Sequence, residues 1–552
     1  MKKWNLLHQV ESQNSKVKND DILDILLENR GIKTKKEKEN FLTPKFKEVT
    51  IASVEIDKKH LKKATARIKK AINNKEKIII FGDYDVDGIA ASAILWETLN
   101  NLGANVLPYI PSRFEEGYGL SIKGIDNVLA QNSDLKLIIT VDNGIVANVA
   151  IDYANKKGVD VIITDHHVKP VNSKLPKAFA IIHTTLLCGA GVAYFLSKDL
   201  KNETIDFPDS HLELVALATI ADLVSLKDGN RVFVRFGIEA LRKTKRPGLL
   251  SLFSKADIDK DEIGVYQVGH IIAPRLNAMG RLTNAMDSLR LICTSSVQRA
   301  NDLANTLAKT NLERQEITAG TLDHALSGAK KNLLKKLIFI ADKSYKEGVI
   351  GLVAGRLVEE YYLPSIVISK GKKYSKASAR SVLGFNIVEF LREASDLLVD
   401  VGGHPMAAGF TVETKNLAKL EKFLYEKVSK LISKDHLERK LNIDLILPED
   451  LIGLDLYSYI QKLSPFGMAN PEPTFLTHNL RIFEIKKVGR DGKHLKLKLN
   501  TINGARLDAI AFGMGDSKLK IGDAINVVYT FSVDEWNGNK KLQLKVKDFK
   551  TI

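Results

Sequence analysis

The chain has 552 residues, with 82 Lys and Arg against 66 Asp and Glu, a formal net charge of +16 and two cysteines. No apolar run approaches the roughly 18 residues that span a bilayer, and the N-terminus lacks the apolar core of a signal peptide, so we expect a cytoplasmic protein without a membrane segment. The basic excess suits a polyanionic partner, although a lysine-rich composition can also reflect base composition alone.

Residues 1–45 predict a helical lead-in, and the first candidates for chemistry follow it. The run Ile78–Gly88 is a short apolar strand that ends at a glycine and continues into a turn bearing Asp83, Asp85 and Asp87. Carboxylates crowded at the end of one strand repel one another unless a cation lies among them. A solvated acidic turn or a calcium loop is the alternative, but an EF-hand would have a Glu at its twelfth position and no strand before it.

The next strand and helix ends carry residues of the same kind. Apolar strands at 137–141 and 159–164 precede Asp142 and the Asp-His-His run at 165–167, and an apolar helix delivers Asp222. Continuous apolar strands separated by helices predict a parallel sheet buried on both faces, in which ligands lie beyond the carboxyl ends of the strands. We therefore expect these acidic and imidazole groups to converge.

The donor types indicate two divalent cations. Carboxylates with imidazoles suit Mn²⁺ first and Mg²⁺ second, whereas the lack of Cys-x-x-Cys disfavours Zn²⁺. Paired cations can activate a water and stabilise the leaving oxygen of an in-line displacement at phosphorus. His166 and His167 cannot point the same way, so we expect one to bind metal and the other to contact phosphate or orient a ligand.

Further along the chain the pattern changes three times. The run from Ser296 to Gly320 has no internal Gly or Pro and predicts a long connecting helix. A second α/β unit begins near Leu337 and includes a Gly-Gly-His loop at 402–404, whose glycines either let the backbone approach a phosphate or form a plain turn. From about residue 440, apolar residues and lysines alternate in short strands, which predicts a small barrel with a basic face.

The motifs of the chain occur in a specific order. They are DYDVDG at 83–88, PSRFEEGYG at 111–119, DHH at 165–167, LCGAGVA at 187–193, APRLNA at 273–278, GVIGLVAGRL at 348–357, GGH at 402–404 and PFGMANP at 465–471. In this order the chain resembles the DHH phosphoesterase superfamily and, within it, the RecJ family of single-strand-specific exonucleases.

The resemblance implies an α/β fold in several domains: a parallel-sheet DHH domain, a long connecting helix, a smaller α/β DHHA1 domain and a C-terminal β-barrel of the OB-fold type. The expected limits after the lead-in are 46–230 for the DHH catalytic domain, 231–335 for the helical extension and connecting helix, 336–435 for DHHA1 and 440–552 for the OB-fold, a nucleic-acid-binding domain.

The resemblance also implies roles for matched positions. Catalytic residues are implied at Asp83, Asp85, Asp87, Asp142, His166, His167 and Asp222, all of them metal ligands except His167. Contacts to nucleic-acid phosphates are implied at Arg113, Arg275, Ser378, Arg380 and His404. The bidentate fit of guanidinium groups to phosphate agrees with the arginines in this set.

The chain departs from the family pattern in two places. Phe81 stands where many members of the superfamily have a histidine, so we expect Asp83 to take the share of the metal that this histidine would have. The segment at 181–185 replaces an Asn-Pro segment before a shortened loop, which leaves the roles of His183 and Thr184 open.

The expected activity is metal-dependent 5′-to-3′ exonucleolytic hydrolysis of single-stranded DNA in repair and recombination. The alternatives are a DHH phosphodiesterase for short oligonucleotides or cyclic dinucleotides, and a non-catalytic single-strand-binding scaffold in replication. The basic barrel disfavours the first, because a small substrate needs no extended surface, and the presence of every motif acid disfavours the second. Single-strand-binding protein and a helicase are expected partners of a monomer. The sequence leaves open the preference for DNA over RNA and the physiological metal.

Overall fold

The computed structural model describes residues 2–8, 18–113, 115–169, 174–203, 211–536 and 539–552. The strands are Lys3–Leu6 (β1), Lys77–Phe81 (β2), Val106–Tyr109 (β3), Leu135–Val141 (β4), Asp160–Asp165 (β5), Ala180–His183 (β6), Ile338–Asp342 (β7), Ser365–Ser369 (β8), Tyr374–Arg380 (β9), Leu398–His404 (β10), Ala407–Glu413 (β11), Lys440–Ile443 (β12), Leu445–Ile446 (β13), Phe475–Val488 (β14), His494–Asn500 (β15), Arg506–Ala511 (β16), Ala524–Trp536 (β17) and Asn539–Thr551 (β18).

The α-helices are Asn19–Asn29 (α1), Lys35–Leu42 (α2), Lys58–Asn73 (α3), Val86–Asn101 (α4), Ile122–Gln131 (α5), Asn148–Lys156 (α6), Gly189–Lys201 (α7), Leu212–Ala221 (α8), Asp228–Arg242 (α9), Pro247–Lys255 (α10), Ala273–Leu282 (α11), Met286–Cys293 (α12), Val297–Ala329 (α13), Ile350–Tyr361 (α14), Ile387–Arg392 (α15), Leu417–Leu431 (α16) and Leu454–Gln461 (α17). A π-helix at Gln267–Ile272 leads directly into α11. Among the described residues, no helix is both long and apolar enough to cross a membrane.

The sheet of the predicted catalytic domain, here named the catalytic sheet, has the strand order β3-β2-β4-β5-β6, and every neighbouring pair is parallel. Its strands are apolar throughout because both faces are covered. Ile79 and Phe81 of β2, for example, pack in a core with residues of α5 and α6, while the alternate residues Ile78 and Ile80 are also fully buried. This sheet confirms the parallel α/β architecture that the sequence predicts, and it brings the carboxyl ends of β2, β4 and β5 to one edge.

The connecting helix is α13. It begins after Ser296, whose Oγ accepts a hydrogen bond from the backbone N–H of Arg299 at 3.3 Å, and it runs past Gly320 to Ala329. The shorter helices α10, α11 and α12 pack against it. The predicted long helix is thus confirmed, and it extends nine residues further than the run ending at Gly320.

The second α/β sheet has the order β10-β11-β9-β8-β7, with β7 and β8 parallel and the other pairs antiparallel. The predicted loop at 402–404 was wrong, because these residues end strand β10. Gly403, which has a φ of +140°, pairs with Ala408, and His404 pairs with Ala407, so the hairpin turn comes after His404. A Cβ on Gly403 would lie 2.3 Å from the carbonyl oxygen of Ala407, so the close strand pairing requires glycine.

The C-terminal strands form a barrel. The order is β14-β15-β16-β18-β17, and β14 also pairs with β17, which closes the sheet on itself. In β15, Leu495, Leu497 and Leu499 are buried in the barrel, while the alternate position Lys496 is exposed. The strand order, closure and alternation agree with the predicted OB-fold.

Chain contacts divide the molecule into two units. One consists of Met1–Lys45, Ser225–Arg231 and Arg439–Ile552, and the other of Phe46–Val224 and Val232–Glu438. The N-terminal segment contains α1 and α2, and it also contains strand β1, which the sequence did not predict and which pairs in parallel with β12. The apolar side of α1 is buried in the same core as the barrel strands.

Candidate active site

The acidic turn after β2 is held in a tightly packed conformation. The Asp85 carboxylate caps helix α4 by accepting hydrogen bonds from the backbone N–H groups of Asp87 and Gly88 at 2.9 and 3.1 Å. A Cβ on Gly88 would lie 2.6 Å from the backbone nitrogen of Asp83, so only glycine allows the helix to start this close to the strand. The turn therefore fixes its three carboxylates rather than displaying them to solvent.

Asp87 is anchored by a second helix. Its two carboxylate oxygens accept hydrogen bonds from the backbone N–H groups of Gly189 and Ala190, at 2.6 and 2.7 Å, in the first turn of α7. An anion at this position interacts favourably with the partial positive charge of the helix N-terminus. Gly189 also lies against Asp142, because a Cβ there would be 2.7 Å from the Cβ of Asp142. The first glycine of the LCGAGVA motif thus lets α7 reach two acids at once.

The end of β5 orients the histidine pair. Asp165 Oδ1 accepts hydrogen bonds from the backbone N–H groups of His166 and His167 at 2.7 and 3.1 Å, and it lies 2.8 Å from His167 Nδ1. His167 Nε2 is 2.9 Å from the hydroxyl oxygen of Tyr118. Although burial acts to lower it, the hydrogen bond to Asp165 and the surrounding carboxylates raise the pKa of His167 to about 9.

His166 points in a different direction, into the acids. Its Nε2 lies 3.1 Å from Asp142 Oδ1, 3.5 Å from Asp87 Oδ2 and 3.6 Å from Asp222 Oδ2. Three sets of donor atoms lie mutually within 4.8 Å: Asp83, Asp85 and Asp142; Asp87, His166 and Asp222; and Asp142, His166 and His167. The structure therefore brings together all seven residues that were predicted to be catalytic.

The electrostatics of this cluster fit cations. Burial, followed by the neighbouring carboxylates, raises the pKa values of Asp83 and Asp142 well above the usual range. The Oδ1 atoms of both residues are buried and have no hydrogen-bond partner among the described residues. Acids that repel one another and lack donors are stabilised by a bound cation, and oxygen atoms with one or two imidazole nitrogens are a donor set suited to Mn²⁺ or Mg²⁺.

A group of guanidiniums lies beside the acidic turn. Arg113 lies over the ring of Tyr84 at 5.1 Å, and Arg380 Nη1 donates hydrogen bonds to Ser378 Oγ and Ala379 O at 3.2 and 2.9 Å. Burial lowers the pKa of Arg380, and the positive charge of Arg113 lowers it further, which indicates that the two guanidiniums are neighbours.

Strand β10 brings an imidazole to the same place. The ring of His404 is nearly parallel to that of His167, with centroids 6.3 Å apart and an interplanar angle of 19°. The second α/β sheet thus presents Ser378, Arg380 and His404 toward the acids of the catalytic sheet. Arg275 is the exception among the predicted phosphate contacts, because its Nη1 donates a hydrogen bond to Ile271 O at 2.8 Å and it is not among the charged groups around Arg380.

Sequence reasoning missed residues that the structure places in the site. Arg281 of α11 donates a hydrogen bond to Gly348 O at 3.2 Å. Its pKa is lowered to about 10, first by burial and then by the positive charges of Arg113, Arg314 and Arg380. Its signal was its position, three residues after the APRLNA motif in the same helix. Asp165 lies in the DHH motif and Tyr118 in the PSRFEEGYG motif, but the sequence alone does not assign either residue a role in orienting His167.

The departure at 181–185 also has a structural consequence. His183 ends strand β6, and its Nε2 donates a hydrogen bond to the backbone carbonyl of His167 at 2.8 Å. Thr184 Oγ1 accepts a hydrogen bond from the backbone N–H of Leu186 at 3.1 Å. The segment that departs from the family pattern therefore supports the backbone of the histidine pair.

The parallel sheet, the acidic and histidine strand ends and the arginine-bearing second α/β unit define a phosphoesterase of the DHH class. Family models match three segments: the DHH family, N-terminal domain, at residues 77–219; the DHHA1 domain at 331–434; and the RecJ OB domain at 443–548.

Relatives cover most of the chain. The single-stranded-DNA-specific exonuclease RecJ of Haemophilus influenzae is 30% identical over 99% of this chain and 99% of its own length. The RecJ of Bacillus subtilis is 38% identical over 89% of this chain, which spans 63% of the length of that protein. The crystal structure of RecJ in complex with Mn²⁺ from Thermus thermophilus is similar with a TM-score of 0.84 and 27% identity, covering 99% of this chain and 79% of that one. The chain belongs to the RecJ family.

Proposed function

We propose that this chain is a divalent-metal-dependent exonuclease that hydrolyses phosphodiester bonds of single-stranded DNA, from the 5′ end, in repair and recombination. The observation that carries the proposal is the convergence of buried, donor-deficient carboxylates with His166 at the carboxyl edge of the catalytic sheet. The RecJ relatives are named as single-stranded-DNA-specific exonucleases, which supports the substrate and the reaction class.

We assign to one cation Asp83, Asp85 and Asp142, which would hold it, and to the other Asp87, His166 and Asp222. When bound, such a pair of Mn²⁺ or Mg²⁺ ions activates water and neutralises charge at the reacting phosphate. The solved Thermus thermophilus RecJ structures contain Mn²⁺ or Mg²⁺, which supports this choice of metals.

The remaining residues of the site position the substrate. His167, fixed between Asp165 and Tyr118, presents its imidazole toward the reacting phosphate. Arg113, Arg281, Ser378 and Arg380 form a basic pocket that suits a phosphate group of the strand, and His404 lies across from His167. In this proposal the 5′-terminal phosphate binds in the basic pocket, so that the first internal linkage meets the metal ligands.

We also propose the domain limits. Residues 46–230 would bind the cations, residues 231–335 would connect the two α/β domains, residues 336–435 would bind phosphate and residues 440–552 would bind the single strand. The matches at 77–219, 331–434 and 443–548 support this division. The barrel match also disfavours a phosphodiesterase for cyclic dinucleotides. We propose a monomer that acts in the cytoplasm with single-strand-binding protein and a helicase, which the family resemblance supports.

The test uses end-labelled single- and double-stranded DNA and RNA incubated with the full chain and Mn²⁺, Mg²⁺ or EDTA. We expect mononucleotides to be released from the 5′ end of single-stranded DNA with Mn²⁺ or Mg²⁺ and nothing to be released with EDTA. Release from 3′ ends, equal cleavage of duplex, or activity in EDTA would contradict the proposal. Cleavage of RNA in preference to DNA would reassign the substrate while leaving the metal site intact.

A further inference from the structure

Two further arginines continue the line of guanidiniums that begins at Arg281. Arg314, on α13, is among the charges that lower the pKa of Arg281, and Arg275, on α11, is the charge that lowers the pKa of Arg314 after burial. Helices α11 and α13 pack against each other. Arg314 is therefore a neighbour of both other arginines, where helices α11 and α13 pack together.

Among the described residues, neither arginine forms an ion pair with a carboxylate. Arg314 donates from Nε and Nη2 to one amide oxygen, Asn311 Oδ1, at 3.2 and 3.0 Å. Arg275 Nε is buried and has no hydrogen-bond partner among the described residues, and Asp257, the carboxylate whose charge acts on Arg275, makes no ion pair with it there. Partly buried like charges without counter-ions are unfavourable unless an anion binds them.

The position of α11 relates these arginines to the metal ligands. Its C-terminal end lies against the acidic turn, because a Cβ on Gly280 would be 2.4 Å from the carbonyl oxygen of Tyr84. Its N-terminal end follows the π-helix, whose Gly269 lies against Ile220, two residues before Asp222. Arg275 precedes Arg281 by six residues, or about 9 Å along the helix axis at 1.5 Å per residue. The π-helix and α11 together thus contact the helix end that precedes Asp222 and the acidic turn that follows β2.

We propose that Arg314 and Arg275 bind the third phosphate from the 5′ end of the single strand, the one directly on the 3′ side of the linkage that is cut. This inference rests on the proposed exonuclease function and adds Arg314 as a substrate-binding residue. The basic pocket of Arg113, Arg281 and Arg380 holds the 5′-terminal phosphate, and α11 carries the strand across the metal ligands to the Arg275–Arg314 pair. Planar guanidinium forks on two helices suit one phosphate bound from two sides.

A dependence on substrate length follows. A 5′-phosphorylated dinucleotide has a terminal phosphate and the linkage that is cut, but no phosphate beyond it. A 5′-phosphorylated trinucleotide has one more, which reaches Arg314. The contact should therefore appear as faster cleavage of the first linkage in the trinucleotide, and it should disappear when that additional phosphate is made neutral.

The experiment compares a trinucleotide having a normal second linkage with one having a neutral methylphosphonate there. For the wild-type chain we expect kcat/KM for cutting the first linkage to fall roughly ten- to a hundredfold with the neutral linkage, the loss typical of one charge-assisted contact. Arg314→Gln, which leaves Arg275 as the remaining guanidinium at this phosphate, should be slow on both trinucleotides and show a much smaller difference, while Arg314→Lys, which keeps a point charge, should retain more of it. Arg299→Gln, an exposed arginine on the same helix, should behave as wild type.

Binding measured in EDTA gives a second readout that does not depend on cleavage. The log–log slope of single-strand affinity against salt should become shallower by about 0.7 for Arg314→Gln and remain unchanged for Arg299→Gln. If the wild-type chain cuts both trinucleotides equally well, or if Arg314→Gln keeps the full difference or the full salt slope, the inference is overturned while the exonuclease function stands. If the wild-type chain cuts neither, the proposed function fails and the salt slope still decides the phosphate contact.

Discussion

Two groups of arginines withdrawn from solvent have very different surroundings. Arg231 is 1% exposed, and its guanidinium donates hydrogen bonds to the backbone carbonyls of Phe41, Lys462, Leu463 and Ser464. Arg380, by contrast, donates within the described residues only to Ser378 and Ala379 of its own strand, and the charge that acts on it is that of another arginine, Arg113. The first guanidinium organises the protein, whereas the second remains available to an anion from outside.

The acids divide in the same way. Glu97 accepts hydrogen bonds from both ends of the Arg246 guanidinium and from His211, so its charge is compensated within the fold. Asp83 and Asp142 are more deeply buried than Glu97, yet their Oδ1 atoms accept no hydrogen bond among the described residues, and the imidazole that lies 3.1 Å from Asp142 Oδ1 belongs to His166, itself a predicted metal ligand. Whether a buried charge has hydrogen-bond partners within the fold distinguishes structural charges from functional ones better than burial does. A buried charge without such partners costs stability and persists only where a ligand supplies the partner.

The largest effect is expected from removing an uncompensated acid. Asp142→Ala should abolish detectable hydrolysis, a loss of at least about 10³ in kcat, because a predicted metal ligand is lost. The melting temperature in EDTA should stay the same or rise, since the change removes a carboxylate from a mutually repelling group. Asp134→Ala, an exposed acid just before β4, should change neither quantity. Activity within a few-fold of wild type would remove Asp142 from the metal site.

The opposite pattern is expected from a compensated arginine. Arg231→Met should lower the free energy of unfolding by about 3–5 kcal/mol, because it leaves several buried carbonyls without a donor. The rate per folded molecule on a short single strand should remain within a few-fold of wild type. Chemical denaturation and single-turnover kinetics measure the two quantities. A variant of normal stability and low activity would contradict the distinction between the two groups of arginines.

Arg380→Ala should have a smaller effect, on activity alone. Losing one charge-assisted contact to phosphate costs about 1.5–3 kcal/mol, or roughly ten- to a hundredfold in rate. The loss should be larger on 5′-phosphorylated than on 5′-hydroxyl single strands if Arg380 holds the terminal phosphate. Unfolding should be unaffected, because no counter-ion is lost. Equal losses on both substrates would place Arg380 at an internal phosphate.

Arg356, in the same α/β domain as Arg380, provides a matched control for Arg380→Ala. Arg356 forms an exposed ion pair with Glu359 on α14, at 2.7 Å. Such pairs contribute at most about 1 kcal/mol to stability. Arg356→Ala should therefore change neither the rate nor the response to the 5′-phosphate.

The sequence predicted those parts of the site that depend on local order. The acids at the ends of β2, β4 and β5 converge because parallel strands share a carboxyl edge, and this edge can be inferred from apolar runs alone. Arg281 was missed because its role depends on where α11 meets Gly348 and Arg113, a tertiary contact with no local pattern. The predicted loop at 402–404 was wrong because glycine-rich sequence indicates a turn, while the pairing of β10 with β11 depends on the neighbouring strand.

The smallest effect is expected from a compensated acid as the pH falls. Arg246 and His211 counteract burial and lower the pKa of Glu97 to about 2, against 4.5 for an ordinary Glu. Because the pKa is lower in the folded state, the stabilising contribution of Glu97 is fully present above about pH 4.5 and is lost as the pH falls toward 2. The difference in the free energy of unfolding between the wild type and Glu97→Gln should therefore shrink by about 1–2 kcal/mol between pH 7 and pH 3. Comparing the two variants in EDTA at each pH cancels the contribution of the metal-site acids, which titrate in both. A difference that stays constant across this range would mean that Glu97 acts through its shape and hydrogen bonds rather than its charge, and the distinction between compensated and uncompensated charges would then not extend to the acids.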